Sequence, residues 1–239
     1  FFPQLVAGPI LRAKEFLPQL REKIDGLEVG SKLRQITITE SNLKIGITMM
    51  ALGFLKKMFF ADNIAPLVND VFSSPVGHDS LTIMLTTLAF GIQIYCDFSG
   101  YSDIALGAAW IMGFKIPINF NKPYFAMSPS DFWRRWHISL STWLRDYLYI
   151  PLGGNKKSKP RTYLNLIIVM FLGGLWHGAS WNFVVWGALH GAYLTIHKFI
   201  IDKMAYQMFL FRFPYTLLQI IEFTIDGIQY SLAKKAALL

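Results

Sequence analysis

The sequence predicts an all-α, polytopic membrane protein of tilted and broken helices, and three observations carry that prediction. Apolar residues make up 53% of the 239 and charged residues only 16%, where a soluble domain carries roughly 25% charge. From Thr162 to His197 there is no Asp, Glu, Lys or Arg, a run of 36 residues, and about 20 apolar residues suffice to cross a bilayer. Apolar runs recur in succession, with basic residues gathered in the short loops between them, as the positive-inside rule expects. The net charge of +8 therefore reads as topology, with membrane lipids as the second contact and no nucleic-acid partner. Mean hydropathy is +0.37.

The elements follow in order. FPQLVAGPI, Phe2 to Ile10, holds two prolines around a glycine and is too short to span; it reads as an interfacial or re-entrant segment. Arg12 to Ser41 alternates in charge, which predicts a short aqueous helix near Lys14 to Lys23 and then a loop. From Leu43 to Ala61 the pattern becomes apolar, interrupted by Lys56 and Lys57, which can snorkel to an interface, so a spanning or steeply tilted helix is expected. Asn63 to Asp79, with Pro66, Pro75 and Gly77, reads as a loop with one helical turn. Ser80 to Cys96 is 17 uncharged residues long and runs into CDFSGYSDIALG, where a break near Gly100 would set Asp97 and Asp103 at or below the membrane surface. Cys96 is the lone cysteine, so no internal disulfide forms and a small buried thiol is expected.

Lys115 to Pro129 is irregular, with Pro117, Pro123 and NFNKPY. Ser128 then signals a helix start: Ser as N-cap, Pro129 at the first helical position and Asp131 at the third, a variant of the capping box. That helix is expected through DFWRRWHISLSTWLRDYLYI to about Ile150, amphipathic and interfacial. Pro151 to Gly154 ends it, and Asn155 to Arg161 forms a basic loop on the cytoplasmic side. The uncharged run is long enough for two helices around a break at Gly173 to Gly178. A last apolar segment, Phe209 to Tyr230, is weakened by Glu222 and Asp226. No internal repeat or low-complexity segment is present. The chain starts at Phe1 with no cleavage signal, which reads as an excerpt of a longer membrane protein.

GGLWHGASW places His177 inside the longest uncharged run, and an ionisable group within a membrane is a functional-site hypothesis by default. His137, in WRRWH, is its leading partner. A neutral imidazole can take a proton from an attacking hydroxyl, which suits acyl transfer to an alcohol; the alternative is a histidine hydrogen-bonded to a neighbouring helix. On one long helix Trp133 would share the face of His137, and Asp131 would pair with Arg135 at a spacing of four. Arg134 and Arg135 beside Trp133 and Trp136 suit phosphate or carboxylate recognition, or anchor the helix among lipid headgroups. Asp97, Ser99, Tyr101, Ser102 and Asp103 could line a polar tunnel or cap helices around Gly100. A haem between His177 and His190 would need ligands on a second helix, Ser180 lacks a nucleophile elbow, and no group has metal-ligand spacing, so no metal is expected.

Together FPQLVAGPI, DFSGYSDIALG, NFNKPY, DFWRRWHISLSTWLRDYLYIPLGGN and GGLWHGASWNFVVWGALHG resemble the membrane-bound O-acyltransferases, in particular the branch of bacterial alginate O-acetyltransferase membrane subunits, over Phe2 to about His197. The resemblance implies a ring of tilted helices around a central tunnel, with residues 1–239 one membrane-embedded catalytic region lacking the family's N-terminal helices. It implies a multi-pass enzyme of the bacterial cytoplasmic (inner) membrane that moves an acetyl or short acyl group from a thioester donor toward hydroxyls of an extracytoplasmic polysaccharide, with a polysaccharide-acetylating partner protein. The donor would be acetyl-CoA or an acyl carrier protein thioester, with no cofactor held. The family's catalytic histidine falls on His177 and its second motif position on His137; Asp97, Ser99, Tyr101, Ser102, Asp103, Trp133, Arg134, Arg135, Trp136 and Trp176 are the substrate-binding candidates. D-alanyl transfer to teichoic acid, and a non-catalytic transporter or scaffold, are the alternatives.

Overall fold

The computed structural model describes residues 3, 8–25, 38–178 and 180–204. The described residues are helical, with turns and loops between helices and no strand among them. They fall into two compact units, one of residues 1–65 and 92–119, the other of residues 66–91 and 120–239. The expected last apolar segment, Phe209 to Tyr230, and most of FPQLVAGPI lie outside the described residues.

In the first unit α1 (Ala13–Asp25) forms where the charge pattern predicted it. It docks on the chain beyond α4 (Ser80–Ile111). The Gln19 side-chain amide donates to the Lys115 carbonyl at 2.9 Å, and the Lys115 N–H donates back to Gln19 Oε1 at 2.8 Å. Phe16 meets Phe114 with ring centroids 5.3 Å apart, over a small core of Leu106, Ala109, Phe114 and Ile116.

Helix α2 (Glu40–Phe54) starts at Thr39, whose hydroxyl accepts from the Asn42 N–H at 3.1 Å. It crosses α4 at two glycine pairs. A Cβ on Gly53 would stand 2.6 Å from the Gly100 carbonyl oxygen, and one on Gly107 would stand 2.5 Å from that of Gly46. Small residues at such crossings let two backbones touch. This overturns the expected break near Gly100: α4 runs as one helix of 32 residues through that position, and the glycine is there for a neighbouring backbone, not for a bend.

After Phe54 the helix widens into a π-helical stretch, Leu55–Ala61, and then continues as α3 (Asp62–Ser73). The sequence reading of Asn63 to Asp79 as a loop is thus corrected over its first half. Pro66 is accommodated because the wide turn before it relaxes the i to i−4 pattern, and the Asn63 side-chain amide donates to the Met58 and Phe59 carbonyls at 3.1 and 2.7 Å. Val68, Val71 and Phe72 then bury one face at helical spacing. In the second unit Phe72 meets Phe90 edge-on at 5.4 Å, and Asp79 caps α4, accepting from the Thr82 N–H and hydroxyl at 2.9 Å each.

Among the described residues two helices are long and apolar enough to cross a membrane, α4 over Ser80–Ile111 and α8 over Trp181–Asp202. α7 (Lys159–His177) and α8 (Trp181–Met204) pack as a close antiparallel pair. A Cβ on Gly174 would lie 2.2 Å from the Phe183 carbonyl oxygen, and one on Gly187 would lie 2.5 Å from that of Met170. The expected two helices in the uncharged run are present. The interruption is narrower than expected, because Gly173 and Gly174 belong to α7 and the helix ends only at His177.

A histidine and tryptophan cluster as the candidate active site

WRRWH does not lie on one long helix, which is the main correction to the sequence reading. α5 (Pro129–Trp133) begins as the capping signals predict: the Ser128 hydroxyl accepts from the Asp131 N–H at 3.1 Å, and the Asp131 carboxylate accepts from the Met127 N–H at 3.2 Å. It lasts five residues. The Arg134 and Arg135 N–H groups then donate three residues back, to the Asp131 and Phe132 carbonyls, while the Asn121 N–H donates to the Arg135 carbonyl at 2.9 Å. The physical cause is Trp136. Its ring stacks on Phe132 at 5.5 Å and stands edge-on to Phe120 at 5.0 Å, and burying it turns the chain.

His137 follows with φ of +41°, in the left-handed region. A non-glycine residue held there costs about 1–2 kcal/mol, and such positions gather at functional sites. The residue restarts the chain as α6 (Ile138–Leu144), followed by a π-helical turn over Arg145–Tyr149 and the glycine turn of PLGG. Trp133 is therefore not on the face of His137. The ion pair between Asp131 and Arg135 does form, at 2.9 Å.

The expected pair of histidines converges in the second unit. His177 is the last residue of α7. Trp176 packs near both, 6.5 Å from the His137 ring and 5.1 Å from that of His177 by centroid. His137 is buried at 7% exposure, whereas His177 is exposed. One imidazole is thus fixed in the protein while the other keeps a face open to an incoming group. Trp176 and Trp181 are 62% and 81% exposed, which suits the aromatic belt at a membrane interface.

Three further side chains complete the cluster: Phe183 and Trp186, which the sequence did not single out, and His190, which it weighed with His177 only as a haem ligand. Phe183 stacks on His177 at 5.7 Å, and Trp186 meets it edge-on at 5.2 Å. Trp186 also packs on His190 at 4.4 Å, and Trp133 reaches His190 at 5.1 Å and Trp186 at 5.8 Å. His190 is almost wholly buried, at 1% exposure. The chain Trp133, His190, Trp186, His177 therefore ties α5 to the end of α7 through α8. Trp186 and His190 are four apart on α8, a spacing that marks neighbours on a helix face. Trp133 Nε1 is buried without a hydrogen-bond partner.

The hydroxyl and carboxylate candidates belong to the first unit and make their contacts there. Asp103 is bound by Lys56 at 2.6 Å and Asp97 by Lys57 at 2.6 Å; Lys57 also reaches Asp62 at 2.7 Å. The two lysines thus face carboxylates of α4 and α3. Ser99 and Ser102 are buried at 1% exposure, and Ser102 accepts from the Asn119 side-chain amide at 3.2 Å, while Tyr101 is exposed. Cys96 is a buried free thiol. Among the described residues no group of three or more His, Cys, Asp or Glu is placed to hold a metal.

A sequence model described as "MBOAT, membrane-bound O-acyltransferase family" matches residues 1–236. A probable alginate O-acetylase of Azotobacter vinelandii is 47% identical over 199 residues, covering 82% of this chain and 37% of the relative. A peptidoglycan O-acetyltransferase of Helicobacter pylori is 40% identical over 225 residues, covering 94% of this chain and 40% of the relative. A teichoic acid D-alanyltransferase of Streptococcus thermophilus is 34% identical over 208 residues, covering 82% and 48%. The chain therefore spans less than half the length of each of these relatives.

Proposed function

The chain belongs to the membrane-bound O-acyltransferase family, and from that premise we propose that the protein it forms part of transfers an acetyl or other short acyl group from a thioester to a hydroxyl of a cell-envelope polysaccharide. The observation that carries the proposal is the convergence of His137, strained and buried, with His177, open on one face, beside Trp176.

In this reading His177 is the general base. Its neutral imidazole takes the proton of the acceptor hydroxyl as the oxygen attacks the thioester carbonyl; the carbon–sulfur bond breaks, and the imidazolium returns the proton to the departing thiolate. His137 is a hydrogen-bonding partner that orients donor or acceptor, and its buried position in a fixed backbone suits that task. Trp176 and Trp136 wall the site, and Trp133 supports it from behind through His190. Arg135 is committed to Asp131 and is not assigned a substrate phosphate.

Topology supports an extracytoplasmic acceptor. With the basic loop before α7 on the cytoplasmic side, α7 runs away from that loop beside the candidate span α8, and His177 packs on Phe183 and Trp186 in the first turns of that span. His177 then lies at the end remote from the cytoplasm. The tunnel-forming ring of tilted helices, the inner-membrane location, the acetyl-CoA or carrier-protein donor and a polysaccharide-acetylating partner protein are parts of the same proposal. Acetyl transfer to a polymer such as alginate or peptidoglycan is favoured over D-alanyl transfer because the relatives named for the former are 47% and 40% identical and the one named for the latter 34%.

The test is a transfer assay on vesicles holding the full-length protein, given a radiolabelled acetyl thioester and a polysaccharide acceptor. Label appearing in alkali-labile ester on the polymer supports the reading. A protein that inserts normally, binds polymer and consumes no thioester is a scaffold or transporter instead.

A further inference from the structure

The second unit holds a cavity of about 560 Å³ set apart from the two histidines, with Trp133 and Arg134 at its α5 side. It opens between the π-helical turn after α6, the first half of α7 and the last turns of α8, and none of His137, Trp176 and His177 lines it. Its floor is apolar, made by Leu166, Val169, Met170 and Leu194. Its rim carries Arg134, Arg145 and Lys198, and no Asp or Glu is among the described lining residues. The acids nearest these cations sit outside the lining: Asp146 holds Arg145 at 2.7 Å, and Asp202 stands 4.0 Å from Lys198 while accepting from the Tyr163 hydroxyl at 3.0 Å. The cavity lies toward the basic-loop end of the α7 and α8 pair, since Asn155 of that loop and Lys198 and Ile201 of the last turns of α8 line it.

A concave site with an apolar floor and a cationic rim matches one ligand chemistry, a phosphate ester joined to a hydrocarbon chain. We propose that this cavity is a binding site for one anionic phospholipid of the membrane, its phosphate held by Arg134, Arg145 and Lys198 and an acyl chain laid along Leu166, Val169 and Met170. The pantetheine arm of a thioester donor also follows a phosphate, but it carries two amides, and amides buried without partners cost several kcal/mol. Along Leu166, Val169, Met170 and Leu194 those amides find no partner, and Ser130, Ser141 and Asn155, which line the same cavity, suit a hydroxylated headgroup. A lipid chain needs no partner there. Guanidinium groups at a cytoplasmic-side rim suit the anionic headgroups of that leaflet. The proposal requires only that the protein sits in a membrane, so it stands or falls apart from acyl transfer.

The experiment is native mass spectrometry on the full-length protein released from nanodiscs of phosphatidylglycerol and phosphatidylcholine. The expected result is one phosphatidylglycerol retained per chain, with phosphatidylcholine unable to replace it. Arg134→Gln with Arg145→Gln should lower retention at least about tenfold, the effect of losing even one charge-assisted hydrogen bond. Val169→Trp, which keeps every cation and fills the floor, should lower it as well. Equal retention of the two lipids by the unaltered protein overturns the proposal without recourse to any variant. So does unchanged retention in both variants. Stoichiometric displacement of the lipid by free coenzyme A overturns it too, because the cavity would then belong to the donor.

Discussion

At the residue scale His137 is the most informative position. Its imidazole is buried on a left-handed backbone, a conformation that asparagine also tolerates. His137→Asn should therefore keep the melting temperature of the full-length protein within a few degrees and slow transfer less than His137→Ala does. Equal loss in both, with equal melting, would take His137 out of the reaction. Asn165 makes a structural prediction. It is fully buried on α7 and its amide donates to the Leu152 and Gly154 carbonyls at 3.3 and 3.1 Å, pinning the PLGG turn. Asn165→Leu should cost about 1–3 kcal/mol, the penalty of leaving buried carbonyls unpaired, read as a fall in thermal midpoint. Asp131 carries the acid sensitivity of α5: its hydrogen bond from Arg135 holds the carboxyl below the usual range. A carboxyl lowered in the folded state contributes stability above its unfolded value, near 4, and that contribution is lost as pH falls through the lowered value. Asp131→Asn should flatten the melting curve below about pH 4, and an unchanged acid limb would show the pair contributes nothing.

Which residues were legible in the sequence follows from how local their causes are. Ser128, Pro129 and Asp131 signal a helix start within four positions, and the cap forms as read. The end of that helix at Trp133 has a tertiary cause, the seating of Trp136 among Phe120 and Phe132, so aromatic periodicity suggested a helix to Ile150 that does not exist. His177 stood out because an uncharged run surrounds it. Trp186 and His190 look like ordinary apolar-helix residues until α8 folds against α7.

At the element scale the same contrast holds for glycine. Gly100, Gly173 and Gly174 suggested breaks, yet each lies inside a helix. The information missing from the sequence is the partner backbone. Gly53→Leu should force α2 from α4, costing about 1–3 kcal/mol or more by overpacking; a thermal midpoint unchanged in vesicles would mean the two helices are not in backbone contact. The lysines of the π-helical stretch looked like snorkelling residues but bind Asp103 and Asp97 on α4. Removing one member of a partly buried pair leaves a charge without its partner. Lys56→Met alone should therefore lower the melting temperature more than Lys56→Met with Asp103→Leu. The reverse order would show that the pair is not what holds these helices in register.

At the scale of the whole molecule, membership of the family was legible because long motifs occur in the same order over most of the chain, and the match to residues 1–236 bears this out. The helical class was legible from composition; the division into two units was not, since contacts between distant segments decide it. The proposed acyl transfer needs a base at the end of α7. The most direct measurement is the single-turnover rate of acetyl transfer by full-length His177→Ala in vesicles, beside the unaltered protein and with insertion and melting measured on the same samples. A fall of about 100-fold to 10,000-fold, the span that general-base catalysis commonly contributes, with insertion and melting unchanged, is the predicted result. A rate within a factor of about three of the unaltered protein's, far short of that span, would contradict the claim.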